Sequence, residues 1–204
     1  MPRRAGALSR PALWGLAAVL LLAAVALDSP LRSWALDWRA AFPARLWAQA
    51  AYLAGLGWVQ AVALGCLALA GRWRGRMDLW GAGWTGLLAI LLSGAAAQAV
   101  KHLVGRPRPG IGLSPWLLKG LTFDSDWHSF PSGHSATSFA VAAVLAARWP
   151  RAAWAFYLGA ALVASGRVVG GSHYPSDVVS GAVLGLLVGL FLVRRLGIKD
   201  GGEA

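Results

Sequence analysis

The stretch LWGAGWTGLLAILLSGAAAQAVKHLVGRPRP, residues 79–109, decides the fold. Residues 79–100 carry no charge, and a helix of that length is close to the ~20 residues that cross a hydrocarbon core. The chain then turns basic and proline-rich through Lys101, Arg106, Pro107, Arg108 and Pro109, so a helix ending there leaves the bilayer at that point. Reading outward, further apolar segments at 12–27, 46–70, 135–149, 152–169 and 177–193 are predicted to span as well. The expected fold is an all-α integral membrane protein with six transmembrane helices. It forms a single membrane domain over 1–204, and its one long loop, 101–130, joins spans three and four.

Composition agrees. With 57% hydrophobic and 13% charged residues, a chain of 204 residues has too few polar side chains to solvate a globule, so a bilayer supplies much of its solvent. The net charge of +11 is scattered in small groups between apolar runs, which excludes nucleic acid as a partner. Cys66, the single cysteine, lies inside an apolar run and reads as a small core residue; neither a disulfide within the chain nor a cysteine metal cluster is possible. Trp80, Trp149 and Trp154 fall near span ends as interfacial anchors. Gln60 and Gln98 are expected to hydrogen-bond between helices, and Gly181, Gly185 and Gly189 to give the last span a smooth packing stripe. His102 and His128 flank the long loop without a motif position.

Basic residues set the orientation. Arg3, Arg4 and Arg10 precede the first span, Arg72, Arg74 and Arg76 follow the second, Arg148 and Arg151 bracket the turn after the fourth, and Arg194, Arg195 and Lys199 follow the last. Both termini are then expected in the cytoplasm, with the long loop on the opposite face. The Arg- and Ala-rich composition points to a bacterial inner membrane, crossed several times, with the site facing the periplasm or exterior. A competing reading of the first span is a cleaved signal peptide, since Ala24, Val25 and Ala26 satisfy a small-x-small pattern.

Three polar clusters fall on that outer face. In the first, Lys101 offers a point charge and Arg108 a forked guanidinium to one phosphate, although a basic loop snorkelling at the interface would look similar. In the second, Ser132 can cap the fourth span, Gly133 lets the backbone approach an anion, and His134 offers a proton near neutral pH; an ordinary N-cap is the plainer alternative. In the third, Arg167 precedes His173 and Asp177, which lie close together if a helix starts at Tyr174 or Pro175. A carboxylate holding one imidazole nitrogen leaves the other as nucleophile or base, whereas a capping histidine and a dipole-favoured aspartate would give the same pattern. Positive neighbours lower the proton affinity of His173, and Asp177 opposes them. Together the clusters hold what phosphoryl transfer needs: cations for the non-bridging oxygens, an in-line nucleophile and a proton for the leaving oxygen.

The spacing resembles the type 2 phosphatidic acid phosphatase (PAP2) superfamily, whose signature is Lys-x6-Arg-Pro, Pro-Ser-Gly-His and Ser-Arg-x5-His-x3-Asp. Lys101 with Arg108 and Pro109 matches the first part, and Pro131 to His134 the second. The third keeps Arg167, His173 and Asp177, but Gly166 stands where the pattern has Ser, with Ser165 one place earlier. The resemblance implies a catalytic core over 101–177 and an enzyme acting through a phosphohistidine on His173, oriented by Asp177. His134 would protonate the leaving oxygen and then activate water, while Lys101, Arg108, Arg167, Ser132 and Gly133 hold the phosphoryl oxygens. No metal or other cofactor is expected, because those cations already neutralise the phosphate and Asp124 and Asp126 make a poor divalent site.

The implied activity is metal-independent hydrolysis of a lipid phosphate or pyrophosphate held by the surrounding membrane lipids. Undecaprenyl pyrophosphate, phosphatidylglycerophosphate, phosphatidic acid and lipid A 1-phosphate all fit, the first ranked slightly ahead because an outward site suits carrier recycling. The alternatives are a lipid phosphotransferase using the same intermediate and a non-catalytic lipid transporter or scaffold.

Overall fold

The computed structural model describes residues 10–198, with side chains from Gly15 onward. The basic positions Arg3, Arg4 and Lys199, and the side chain of Arg10, therefore lie outside the described residues. Seven α-helices are described: α1 (Arg10–Trp38), α2 (Phe42–Gly55), α3 (Gly57–Trp73), α4 (Met77–Val104), α5 (Gly133–Arg148), α6 (Ala153–Val169) and α7 (Pro175–Arg195). Among the described residues there is no strand, and the connection between α4 and α5 contains only the one-turn helices Pro109–Ile111 and Ser125–Trp127 and an isolated bridge between Arg106 and His128.

Gly15–Trp38, α4, Pro150–Val169 and α7 are each long and apolar enough to cross a bilayer. Exposed Leu20, Leu22, Val62, Leu91 and Phe191 would be intolerable together on a water-facing surface, and the chain is a membrane protein. The predicted second span is not one rod. It breaks at Leu56 into α2 and α3, bent by 54°. Gly55 and Gly57 flank the break and weaken the helix locally, and Leu56 takes extended backbone at φ −63°, ψ 125°. Gln60 Nε2 then donates to the freed Ala54 carbonyl at 3.1 Å and to Ser138 Oγ on α5 at 2.8 Å, which meets its expected interhelical role. Gln98, by contrast, is exposed on α4.

The first span is longer than predicted. The apolar run at 12–27 stops just before Asp28, yet α1 runs on to Trp38 and Asp28 is fully buried. Cys66 corrects a second expectation: it is exposed on α3, not part of a core.

The packed core centres on α5. Sixteen residues long, about 24 Å, it is enclosed by α4, α6 and α7. The glycine stripe of α7 makes this possible: a Cβ at Gly189 would lie 2.6 Å from the Ala140 carbonyl, and one at Gly185 would strike the Ala136 carbonyl. Backbones therefore touch directly, as the stripe predicted. Ala89, Ala140, Val144 and Leu192 close the layer beneath.

Candidate active site

The site is built from helix ends. α4 stops because Gly105 takes a left-handed conformation, φ 60°, and a side chain there would run into Gly120. That places Lys101 in the last turn, buried, its Nζ donating to the carbonyls of His128 at 2.8 Å and Ser129 at 3.5 Å. His128, assigned no role from sequence, thus supplies a backbone acceptor to Lys101. Arg108 follows in extended backbone and donates through Nε to the Ser125 carbonyl at 3.0 Å and through Nη1 to the Ser172 carbonyl at 3.4 Å.

At the start of α5, Ser132 is the N-cap, with the Ser135 amide 3.5 Å from its hydroxyl. The backbone N–H of Ser132 donates to the Asp177 carbonyl at 2.9 Å, tying the first turns of α5 and α7 together. Gly133 leaves room for the Lys101 stem; a Cβ there would lie 3.9 Å from its Cε. The His134 ring stacks on Tyr52 of α2 with centroids 5.4 Å apart, and the Arg167 guanidinium lies 5.3 Å from the same Tyr52 ring. Gly55 gives α2 its close approach, because a side chain at that position would strike the His134 ring.

Arg167 stands in the last turn of α6, and its carbonyl accepts from the amides of Ser172 at 3.1 Å and His173 at 3.2 Å. Pro175 then opens α7, placing His173 one helical turn before Asp177. His173 Nδ1 is 3.6 Å from Asp177 Oδ2, slightly beyond hydrogen-bond length. Asp177 is held by other donors: Oδ1 accepts from Arg106 Nη1 at 2.5 Å, and Oδ2 from Ser129 Oγ at 2.6 Å and the Tyr174 amide at 2.9 Å.

All eight predicted residues lie at one end of the bundle, joined by these contacts. Lys101, Arg108 and Arg167 repel one another electrostatically, and His134 feels both His173 and Arg167. The sequence left the balance at His173 open. Burial dominates, lowering its pKa to about 4; Lys101 and Arg108 add to that shift, and Asp177 opposes it. Arg108 is lowered by burial as well. Among the described residues, His134 Nε2, Arg167 Nε and His173 Nδ1 are buried side-chain nitrogens without a hydrogen-bond partner. No group of three or more His, Cys, Asp or Glu among those residues is placed to hold a metal ion.

Sequence reasoning missed Arg106, Asp28, Ser129, Ser176 and Tyr52. The alternating Arg106-Pro107-Arg108-Pro109 was a signal for the first, and a lone carboxylate closing an apolar run was a signal for the second. The Gly166 departure has a steric cause. A side chain there would overlap Ala51 Cβ and approach Trp47 of α2. Ser165 does not substitute, since its hydroxyl donates to the Leu162 carbonyl at 2.9 Å and accepts from Trp47 Nε1 at 3.3 Å.

Residues 82–199 match the PAP2 superfamily pattern. The chain belongs to the PAP2 superfamily. Similar proteins include a lipid A 1-phosphatase of Rhizobium johnstonii, 36% identical over 107 residues, covering 50% of this chain and 44% of that protein. A decaprenylphosphoryl-5-phosphoribose phosphatase of Mycobacterium tuberculosis is 37% identical over 137 residues, covering 66% of this chain and 68% of the other. The matches to three lipid A 1-phosphatases span 44%, 42% and 24% of those proteins, less than half of each. Among solved structures, the PAP2 type phosphatidylglycerolphosphate phosphatase from Bacillus subtilis aligns with a TM-score of 0.61 at 22% identity, over 91% of this chain and 94% of that one. The PAP2 signature positions of this member thus sit on a fold shared with a solved PAP2 protein, at the end where α4 and α6 finish and α5 and α7 begin.

Proposed function

We propose that this protein is a metal-independent lipid phosphatase, with 101–177 as the catalytic core of one membrane unit. The observation that carries the reading is the meeting of three cations without carboxylate partners among the described residues, two imidazoles and a helix N-terminus at one end of a membrane bundle. His173 turns Nδ1 toward Asp177, leaving Nε2 for phosphorus. A bond forms from Nε2 to phosphorus as the bond from phosphorus to the lipid oxygen breaks; the electron pair goes to that oxygen, which takes a proton from His134. Water then attacks the phosphohistidine and passes a proton back to His134, releasing phosphate and restoring His173. Lys101, Arg108, Arg167, the Ser132 hydroxyl and the Gly133 amide stabilise the phosphoryl oxygens in both steps.

The substrate carries its phosphate on a lipid anchored in the same bilayer. Three of the similar proteins are lipid A 1-phosphatases, which moves lipid A 1-phosphate level with undecaprenyl pyrophosphate among the candidates and ahead of phosphatidylglycerophosphate and phosphatidic acid. In this reading the chain makes six crossings, with α2 and α3 together as one, in a bacterial inner membrane. Both termini are cytoplasmic and the histidines face the periplasm. The basic residues at the Arg76 and Arg148 end support that orientation.

The test is phosphate release by detergent-solubilised protein from these four lipids, with chelator present and vanadate as inhibitor. Release that survives chelator and is blocked by vanadate is the expected result. Strict magnesium dependence would overturn the mechanism, and transfer of phosphate to added lipid without free phosphate would replace hydrolysis by phosphotransfer.

A further inference from the structure

Asp177 lies inside a second buried cluster that the proposed chemistry does not use. Arg106 engages all three side-chain nitrogens: Nη1 donates to Asp177 Oδ1 at 2.5 Å and Ser176 Oγ at 2.8 Å, Nη2 to Asp28 Oδ2 at 2.7 Å, and Nε to the Pro115 carbonyl at 2.9 Å. Asp28, from the middle of α1, also accepts from the Ser176 amide at 2.9 Å and the Ser176 hydroxyl at 2.6 Å. The Arg106 guanidinium stacks 4.4 Å over the Tyr174 ring. Both carboxylates are fully buried and Arg106 is nearly so. Well-packed apolar side chains would commonly stabilise the fold as well or better, so two carboxylates held on one planar fork call for another explanation.

Geometry supplies it. With Oδ1 fixed by Arg106 and Oδ2 fixed by Ser129 and Tyr174, the Asp177 carboxylate cannot rotate, and its Oδ2 stays aimed at His173 Nδ1. The gap of 3.6 Å can close when the ring gains positive charge on attacking phosphorus. We propose that Asp28 and Arg106 are positioning residues, forming a relay from α1 that locks Asp177 and, through it, the nucleophilic His173. The inference rests on the phosphatase reading above. It makes the first helix part of the machinery.

The charged groups facing Asp177 and His173 are Lys101 from α4, Arg106 and Arg108 from the long loop and His134 from α5; Asp28 and Arg32 from α1 act on the neighbouring Tyr174, and Arg167 from α6 acts on Lys101 and His134. Of these, Arg106 alone ion-pairs with Asp177 among the described residues. Removing its charge frees Asp177 to favour the protonated imidazole, so Arg106→Met should move the acid limb of kcat/KM to higher pH.

The experiment uses the full chain in detergent with a lipid phosphate that the unaltered protein hydrolyses. Asp28→Asn and Arg106→Lys keep size, and Lys keeps charge but loses the fork. Each should lower kcat about 10- to 100-fold with KM nearly unchanged, slowing formation of the acid-labile phosphoenzyme and sparing its hydrolysis. A merely structural role would lower activity in step with thermal stability and leave the pH midpoint in place; that result, or wild-type kcat in both variants, overturns the relay. If Arg106→Met does not fold, the kcat-against-KM split in the near-isosteric Asp28→Asn decides. An unaltered protein that releases no phosphate from any lipid overturns the phosphatase reading and the relay with it.

Discussion

The two ends of the bundle treat their arginines differently. At the cytoplasmic end of the proposed topology, Asp78 in the first turn of α4 takes Arg76 at 2.7 Å and Arg148 of α5 at 3.2 Å, so both cations meet an acid. At the histidine end, Arg106 meets two acids, while Lys101, Arg108 and Arg167 make no ion pair with a carboxylate among the described residues. Lys101 and Arg108 are satisfied only by backbone carbonyls, which leave their charge uncancelled. A paired cation closes a packing contact, whereas an unpaired one in a desolvated pocket is an electrostatic receptor for an anion.

The sharpest way to break this comparison is to remove the proposed nucleophile. His173→Ala should reduce turnover by at least ~10³-fold and abolish the phosphoenzyme; radiolabel on purified protein checks it, and retained labelling would shift the role elsewhere. Next, Arg167→Met should cost ~10²–10³-fold in kcat/KM, as expected for one donor to a phosphoryl oxygen. Equal loss on changing Arg148 to Met would erase the distinction between the ends.

Acid should expose the same asymmetry in stability. Burial holds folded His173 at about 4 against an ordinary 6.5, so between those values the unfolded chain binds a proton that the folded chain lacks. Stability is therefore full above about 6.5 and falls on acidification towards 4, by no more than about 3 kcal/mol from this group. Melting curves of His173→Gln should be flatter over that window.

Gly166→Ser restores the family pattern but places a side chain on Ala51, and should destabilise the protein by about 1–3 kcal/mol through overpacking. Ala51→Gly in the same chain should recover part of that loss, and calorimetry of the pair measures the coupling. The smallest effect belongs to the paired end. Asp78→Asn should lower stability slightly, because Arg76 is largely exposed and the second pair, with Arg148, remains near the surface at Asp78, with turnover unchanged in the phosphate-release assay.

Most of the helical layout was legible because apolar runs near bilayer length permit little else. The motif residues were legible because their spacing puts cations and imidazoles at span ends. What escaped were features that depend on a partner far along the chain. Leu56 reads as one more apolar residue, and only flanking glycines with a rescuing Gln60 let the second span break there. Asp28 falls just outside the apolar run at 12–27 and Cys66 reads as core, because the side chain alone does not say which face of its helix meets neighbours. Arg106 stood in the quoted motif, yet its neighbour Arg108 matched the pattern and drew the phosphate role. Gly166 looked like a defect until α2 was seen to occupy the space of the missing hydroxyl.

The bond between Asp28 and Ser176 joins positions 148 residues apart. During synthesis, helices one to six can enter the membrane in turn, but the clamp on Asp177 closes only when the seventh arrives and meets the first. A nascent chain released before α7 is made thus presents a cationic cluster without its carboxylate, and in the proposed reading turnover waits on α7.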